Sequence, residues 1–198
     1  MTALAAPAER HAWHPLRAGL LRASRRWGFA PTRVLLLVSV RRQQLWVLEA
    51  ARPRTPQRKA PRFAPVQSFR ISTSRFGVGQ VANSHRTPLG LHRIAAKVGA
   101  GWPPGTVFAD QKAVGYTWKG RPDAGIAHRI LWLEGLEPGF NRGGAVDTFA
   151  RCIYLHGVGD ETTLGRPASR GCIHIAAADL LPLFDRLATG TLVWIGDP

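Results

Sequence analysis

Cysteine is nearly absent. The 198 residues hold two, Cys152 and Cys172, which rules out a small fold stapled by several disulfides. One bridge between them is arithmetically open, but it would consume the best nucleophile in the chain, so both thiols are expected to be free. No apolar run approaches the roughly 18 residues that a membrane-spanning helix needs. Internal repeats are missing, and so is any nucleic-acid module or basic stretch interleaved with aromatics. Acidic residues are scarce, 12 against 27 Lys and Arg, for a formal charge of +15 at pH 7. The surplus lies in the first part of the chain: residues 1–75 set only Glu9 and Glu49 against fifteen Lys and Arg, whereas 76–198 are close to balance. Such an arm is drawn to anionic partners, or is a solvated basic face.

What is present points to one domain with a sizeable core. Hydrophobic residues make up 45% of the chain and seven are tryptophan. The 21 glycines and 15 prolines are spread along it and favour many short elements joined by turns, a β-rich pattern. Residues 14–29 read as a basic amphipathic helix with Leu16, Leu20, Leu21 and Trp27 on one face. Packing on the domain, contact with a membrane surface and mobility are all open to it. Strands are expected at 34–40 and 44–49, around a short polar turn. A basic, proline-rich loop covers 50–65, and strands follow at 66–73, 91–97, 128–134 and 151–156. In the last of these Cys152, Tyr154 and His156 share a face, and Cys152 reads as core. The Gly- and Pro-rich stretch 98–125, dotted with Trp102, Phe108, Tyr116 and Trp118, is expected to be irregular: a lid, or a surface loop pinned by its aromatics. A helix capped by Asp179 runs to about 187 with Pro182 in its first turn, and 191–195 closes the chain as a strand.

Ser24-Arg25-Arg26-Trp27-Gly28-Phe29 resembles a twin-arginine export motif. The apolar stretch after it is short, runs into Arg41-Arg42 and reads better as the first strand. Without a signal, and with Met1 as the start, the expectation is a cytoplasmic protein; a different start or export route would make it periplasmic.

The chemistry concentrates in His156-Gly157 and Ser169-Arg170-Gly171-Cys172-Ile173-His174. A thiol attacks as the thiolate, and a free cysteine is mostly protonated at neutral pH. An imidazole can take that proton and return it to a leaving amine. Gly171 gives the chain the freedom to hold Cys172 on a tight turn.

Four pieces in order, Thr87-Pro88-Leu89-Gly90, Tyr154-Leu155-His156-Gly157, Ser169-Arg170-Gly171-Cys172 and Gly190 to Ile195, resemble the YkuD-type L,D-transpeptidase catalytic domain over roughly residues 33–196. The resemblance implies a mainly β, sandwich-like fold with a few short helices over 33–198, behind a basic N-terminal extension, 1–32. It implies action on the stem peptides of peptidoglycan, or on muropeptides, without a cofactor. Cys172 matches the nucleophile and His156 its base. The Gly157 carbonyl would orient the imidazole, and the N–H groups of Gly171 and Cys172 would form part of an oxyanion hole. Ser169, Arg170 and His174 are the expected substrate contacts, with Ser169 alternatively a shaper of the turn. Arg170 stands where the family often has His, and His174 where it usually has Arg or Asn. Arg170 is suited to a substrate carboxylate.

Attack on the thioester by a second peptide's amine would make the protein a transpeptidase; attack by water, an L,D-carboxypeptidase. Two other classes are weaker. A zinc site from Cys172, His174 and His156 lacks a fourth ligand and a usual spacing. A non-catalytic binder would act through its basic arm; no specific nucleic acid is expected, and a weak anionic-surface contact is. Cys172 escapes the reading of a lone cysteine as buried core because Ser169, Arg170 and Gly171 precede it. His85, His92 and His128 read as surface or satisfied polar residues, and Asn141 and Arg142 as an ordinary polar turn.

Overall fold

The computed structural model describes residues 12–51 and 61–197. Its sheet is built around β1 (Val34–Ser39), which is apolar almost throughout because both its faces are covered. Leu36 and Val38 face an inner core, while Leu35 and Leu37 lie under α1 (His14–Trp27). β1 pairs antiparallel with β2 (Gln44–Ala50), which pairs with β3 (Phe63–Ser72). On its other side β1 runs parallel to β10 (Leu192–Gly196), and β10 pairs with β4 (Gly90–Val98). β3 leads to β9 (Ile173–Ile175), then β8 (Tyr154–Gly157), then β7 (Ala127–Gly135). β7 returns to β4.

That last pairing closes the ring: eight strands form a barrel-like sheet instead of the expected two-sheet sandwich. Closure leaves no free edge between β4 and β7, and the alternating side chains of every strand can converge inside. The inner core includes Val47, Ile71, Ile94, Leu133, Leu155 and Ile175, and α2 (Ala177–Arg186) adds Leu180, Leu183 and Phe184. Lys97 Nζ donates to the carbonyls of Phe184 (2.6 Å) and Leu187 (2.7 Å), placing a cation at the helix's negative end.

Several expectations need correction. α2 begins two residues before Asp179, which sits in its first turn instead of capping it, and Pro182 falls inside the helix. The expected loop at 50–65 is trimmed at both ends, by β2 reaching Ala50 and β3 beginning at Phe63; residues 52–60 of that loop lie outside those described. The strand expected at 151–156 starts only at Tyr154. Residues 147–153 form a turn closed by Arg151 N–H to Asp147 O (3.0 Å) and Cys152 N–H to Phe149 O (3.0 Å), which keeps that stretch off the sheet.

The irregular stretch 98–125 contains a hairpin, β5 (Thr106–Ala109) and β6 (Lys112–Tyr116). Asp110 and Gln111 turn it with left-handed φ values of 46° and 62°, the backbone a two-residue hairpin needs. Asp-Gln is not the usual pair there, which hides the turn from a reading by residue type.

Of the fates open to the N-terminal segment, the described part takes packing. Leu16 and Leu20 of α1 are fully buried against β1, β4 and β10, and Trp13 just before it is buried too. Ser24 to Trp27, the core of the export-like motif, belong to this helix, and Trp27 Nε1 donates to Glu137 Oε2 at 3.3 Å. Leu20→Ala is expected to lower stability by roughly 2–5 kcal/mol, the usual cost of a leucine-sized cavity, measured as a shift in the urea midpoint. A midpoint unmoved would mean α1 does not hold the barrel. Residues 1–11 lie outside those described.

Candidate active site

β8 and β9 run side by side, parallel, with Leu155 opposite Ile173 and His156 opposite His174. Alternation puts Tyr154 and His156 of β8 on one face with His174 of β9, and Cys172 sits in the turn just before β9, two residues ahead of His174. The rings of His156 and His174 lie 4.8 Å apart, tilted by 60°. Tyr154 packs its ring edge-on to Trp132, and Trp132 stacks on Phe149.

His156 is 1% exposed, and its Nδ1 lies 2.8 Å from the Gly157 carbonyl oxygen. A carbonyl can only accept, so Nδ1 carries the proton and Nε2 keeps its lone pair for chemistry. Cys172 is partly buried. Its sulfur accepts the Tyr154 N–H at 3.4 Å and donates to the Cys152 carbonyl at 3.4 Å. No hydrogen bond joins the sulfur to His156 among the described residues; the S–H is engaged by Cys152 O. A thiol–imidazole contact commonly tightens only with substrate bound.

The electrostatics describe a neutral pair. Burial pushes the Cys172 thiol up to about 11, offset in part by the Tyr154 N–H and the Arg151 guanidinium and reinforced by Cys152. Burial, with His174 beside it, holds His156 down at about 3, against the opposing pull of the Gly157 carbonyl. His174 is held at about 4 by burial. At neutral pH both groups therefore rest uncharged, as thiol and imidazole.

The turn before Cys172 is braced from two sides. Gly171 has φ 117°, and a Cβ there would stand 3.2 Å from Ile153 Cδ1 and 3.3 Å from Arg86 O. The Thr87 hydroxyl accepts the Ser74 N–H (3.0 Å) and donates to Gly171 O (3.0 Å), which gives the Thr-Pro-Leu-Gly turn its place in the site. Ser169 is 2% exposed; its hydroxyl donates to Cys172 O at 2.6 Å and accepts the Gly171 N–H at 3.2 Å. Two expectations change as a result. Ser169 shapes the turn and is closed to substrate, and the Gly171 N–H is already engaged, so it is not an open oxyanion donor in this arrangement. Arg170 is exposed, with no hydrogen bond or ion pair among the described residues. His174 is half-buried, and its Nδ1 is buried without a partner.

Sequence reasoning passed over two groups that border the sulfur. Arg151 is locked by three backbone carbonyls, Gly79 (3.2 Å), Gln80 (2.7 Å) and Arg86 (2.6 Å), so its charge near Cys172 is fixed in place. The other is Cys152, read as core: it is exposed, with a left-handed φ of 53°; its carbonyl accepts the Cys172 S–H, and its thiol helps to hold the Cys172 thiol protonated. Both cysteines are free. Only the packing of the 147–153 turn makes either role visible. Elsewhere, His92 is fully buried with Nδ1 on Gly90 O at 3.0 Å. Asn141 is also fully buried, donating to Leu89 O (3.0 Å) and Leu91 O (3.1 Å) and so stapling β4 to the turn after β7. Exposed Arg142 reaches Glu134 at 3.6 Å. Among the described residues no group of three or more His, Cys, Asp or Glu is placed to hold a metal ion.

Comparison with solved structures finds the same kind of fold. Bd1075 from Bdellovibrio bacteriovorus aligns over 84% of this chain and 48% of its own, at 16% identity and a TM-score of 0.52. L,D-transpeptidase 3 from Mycobacterium tuberculosis, solved with a faropenem-derived adduct, aligns over 83% of this chain and 60% of its own, at 15% identity and a TM-score of 0.47. The chain thus spans about half to three fifths of the length of these structures. No curated protein matches it significantly. The L,D-transpeptidase catalytic domain pattern, YkuD, matches residues 33–195, and the chain belongs to that family of cysteine-dependent enzymes.

Proposed function

We propose that the protein is a cysteine acyl transferase acting on peptidoglycan stem tetrapeptides through a Cys172 thioester. The observation that carries this reading is the placement of Cys172 just before β9 and against β8: its sulfur accepts the Tyr154 N–H, two residues from His156, whose Nε2 is left basic by the Nδ1–H bond to Gly157. His156 Nε2 takes the thiol proton as the sulfur attacks the carbonyl joined to the terminal D-amino acid. The C–S bond forms, the C–N bond breaks, and His156 delivers the proton to the departing amine. A second stem peptide's amine then attacks the thioester, the new amide forms and the thiolate is reprotonated. Exposed Arg170, at the lip of the turn, is the contact for a substrate carboxylate. An oxyanion contact from Gly171 requires its N–H to leave Ser169 Oγ.

Purified protein given a disaccharide-linked tetrapeptide is expected to release the terminal D-amino acid and to gain the acyl mass on Cys172 in intact-protein mass spectrometry. Crosslinked dimer among the products supports transfer to an amine; tripeptide alone makes water the acceptor. No release and no adduct would end the proposal.

A further inference from the structure

Of the seven tryptophans, Trp102 and Trp118 alone are strongly open, at 47% and 58% exposure. Both belong to the segment between β4 and β7, and they flank Gly105. The Trp118 ring lies over that residue so closely that a Cβ there would stand 2.3 Å from Cζ3, and only a glycine with its φ of 83° fits. Tyr116 stacks on Trp118 with centroids 4.8 Å apart and planes 20° from parallel. Trp102 makes one hydrogen bond among the described residues, from its backbone N–H to Gly99 O, so its indole is unengaged. Two stacked rings, Tyr116 and Trp118, thus sit at the Gly105 end of the β5–β6 hairpin, and the exposed Trp102 lies three residues before Gly105 in the chain.

The position of this cluster is informative. The other end of the hairpin touches the catalytic face, where Gln111 Nε2 donates to the Tyr154 hydroxyl. From Thr106 to Ala109 the strand advances about 10 Å. The Gly105 end is tied to the same region through His128: Gly105 N–H donates to His128 Nδ1 at 2.9 Å, and the His128 ring lies against Gly157, next to His156. An extended peptide advances about 3.3–3.6 Å per residue, so three residues span the same roughly 10 Å. In a stem tetrapeptide the attacked carbonyl belongs to the third residue, and the end bearing the sugar lies three residues away.

We propose that Trp102, Tyr116 and Trp118 form a saccharide platform. It holds an amino-sugar ring at the N-terminal end of the stem peptide while the third residue sits at Cys172. This rests on the stem-peptide reading above. A pyranose offers an apolar C–H face and a rim of hydroxyls, which suits rings that are flat and apolar on one side and wet at the edge. The Lys119 ammonium, 5.5 Å from the Tyr116 ring centroid, is placed to donate to that hydroxyl rim. The platform's few rings match one or two sugars and fall far short of the roughly 800 Å² per partner of a stable protein interface.

The test compares two substrates and one ligand. Wild-type enzyme is expected to use disaccharide-tetrapeptide over free tetrapeptide by about tenfold or more in kcat/KM, and W102A/W118A to bring that ratio to about one, with a melting curve confirming that the variant is folded. Separately, the disaccharide alone, titrated into Cys172→Ala protein, should change tryptophan fluorescence saturably, and the response should vanish when W102A/W118A is added. Equal use of both substrates by wild type, or a preference that survives the double substitution, overturns the platform. Saturable binding without turnover of any stem peptide would sink the catalytic reading and leave the platform standing. Turnover with neither preference nor fluorescence response would do the reverse.

Discussion

Cys172→Ala is expected to lower release of the terminal D-amino acid by at least about 10³-fold and to abolish the acyl adduct, because the variant lacks the sulfur that carries the acyl chain in the proposed mechanism. His156→Gln is expected to slow acylation by about 10²–10⁴-fold, the usual worth of a positioned general base. Cys152→Ser is the informative control. The carbonyl of that residue accepts the Cys172 S–H, and serine retains it, so the adduct should persist. Peptide mapping of the adduct checks all three variants together. An acyl group found on Cys152, or undiminished release from the Cys172→Ala protein, would overturn the assignment.

Acid is expected to destabilise the fold steeply between about pH 6.5 and 4. Burial holds His92 and His174 at about 4 and His156 at about 3, all below the ordinary 6.5, and His128 is shifted in the same direction. Above pH 6.5 these rings are neutral whether the chain is folded or not, and stability is at its plateau. As pH falls through 6.5 the unfolded chain takes up protons that the folded chain refuses, so stability drops until the folded values are reached. Each ring contributes about 1.4 kcal/mol per pH unit, so three together remove several kcal/mol by pH 5, a large share of the ~5–15 kcal/mol typical of a domain. Urea midpoints at pH 7.5 and 5 measure the effect. Equal midpoints would show that the buried imidazoles protonate in place.

The candidate pair, His156 and Cys172, can be picked out from local signals: a histidine before a glycine at a strand's end, and a cysteine after Arg-Gly. The β1 and β2 strands were legible for a similar reason, since their apolar runs are longer than any turn tolerates. Barrel closure was not, because it depends on Lys97 meeting Leu131 and Ile94 meeting Leu133 across a register that no single segment encodes. The β5–β6 hairpin was missed because Asp110 and Gln111 adopt left-handed backbone without the glycine that normally announces it. Ser169 looked open to substrate because its type allows either role; only the carbonyl of Cys172 beside its hydroxyl decides between them. Cys152 was misplaced by a strand begun three residues too early.

Cys172 and His156 are positioned by adjoining strands of the closed sheet, while the aromatic hairpin reaches them from outside through Gln111 and Tyr154. A slip of one residue between β8 and β9 would turn the imidazole to the opposite side, so the ladder itself guards the chemistry. The hairpin bears no such duty. Its length and ring content can drift over generations, changing which molecules gain entry while the intrinsic reactivity of the thiol is inherited intact.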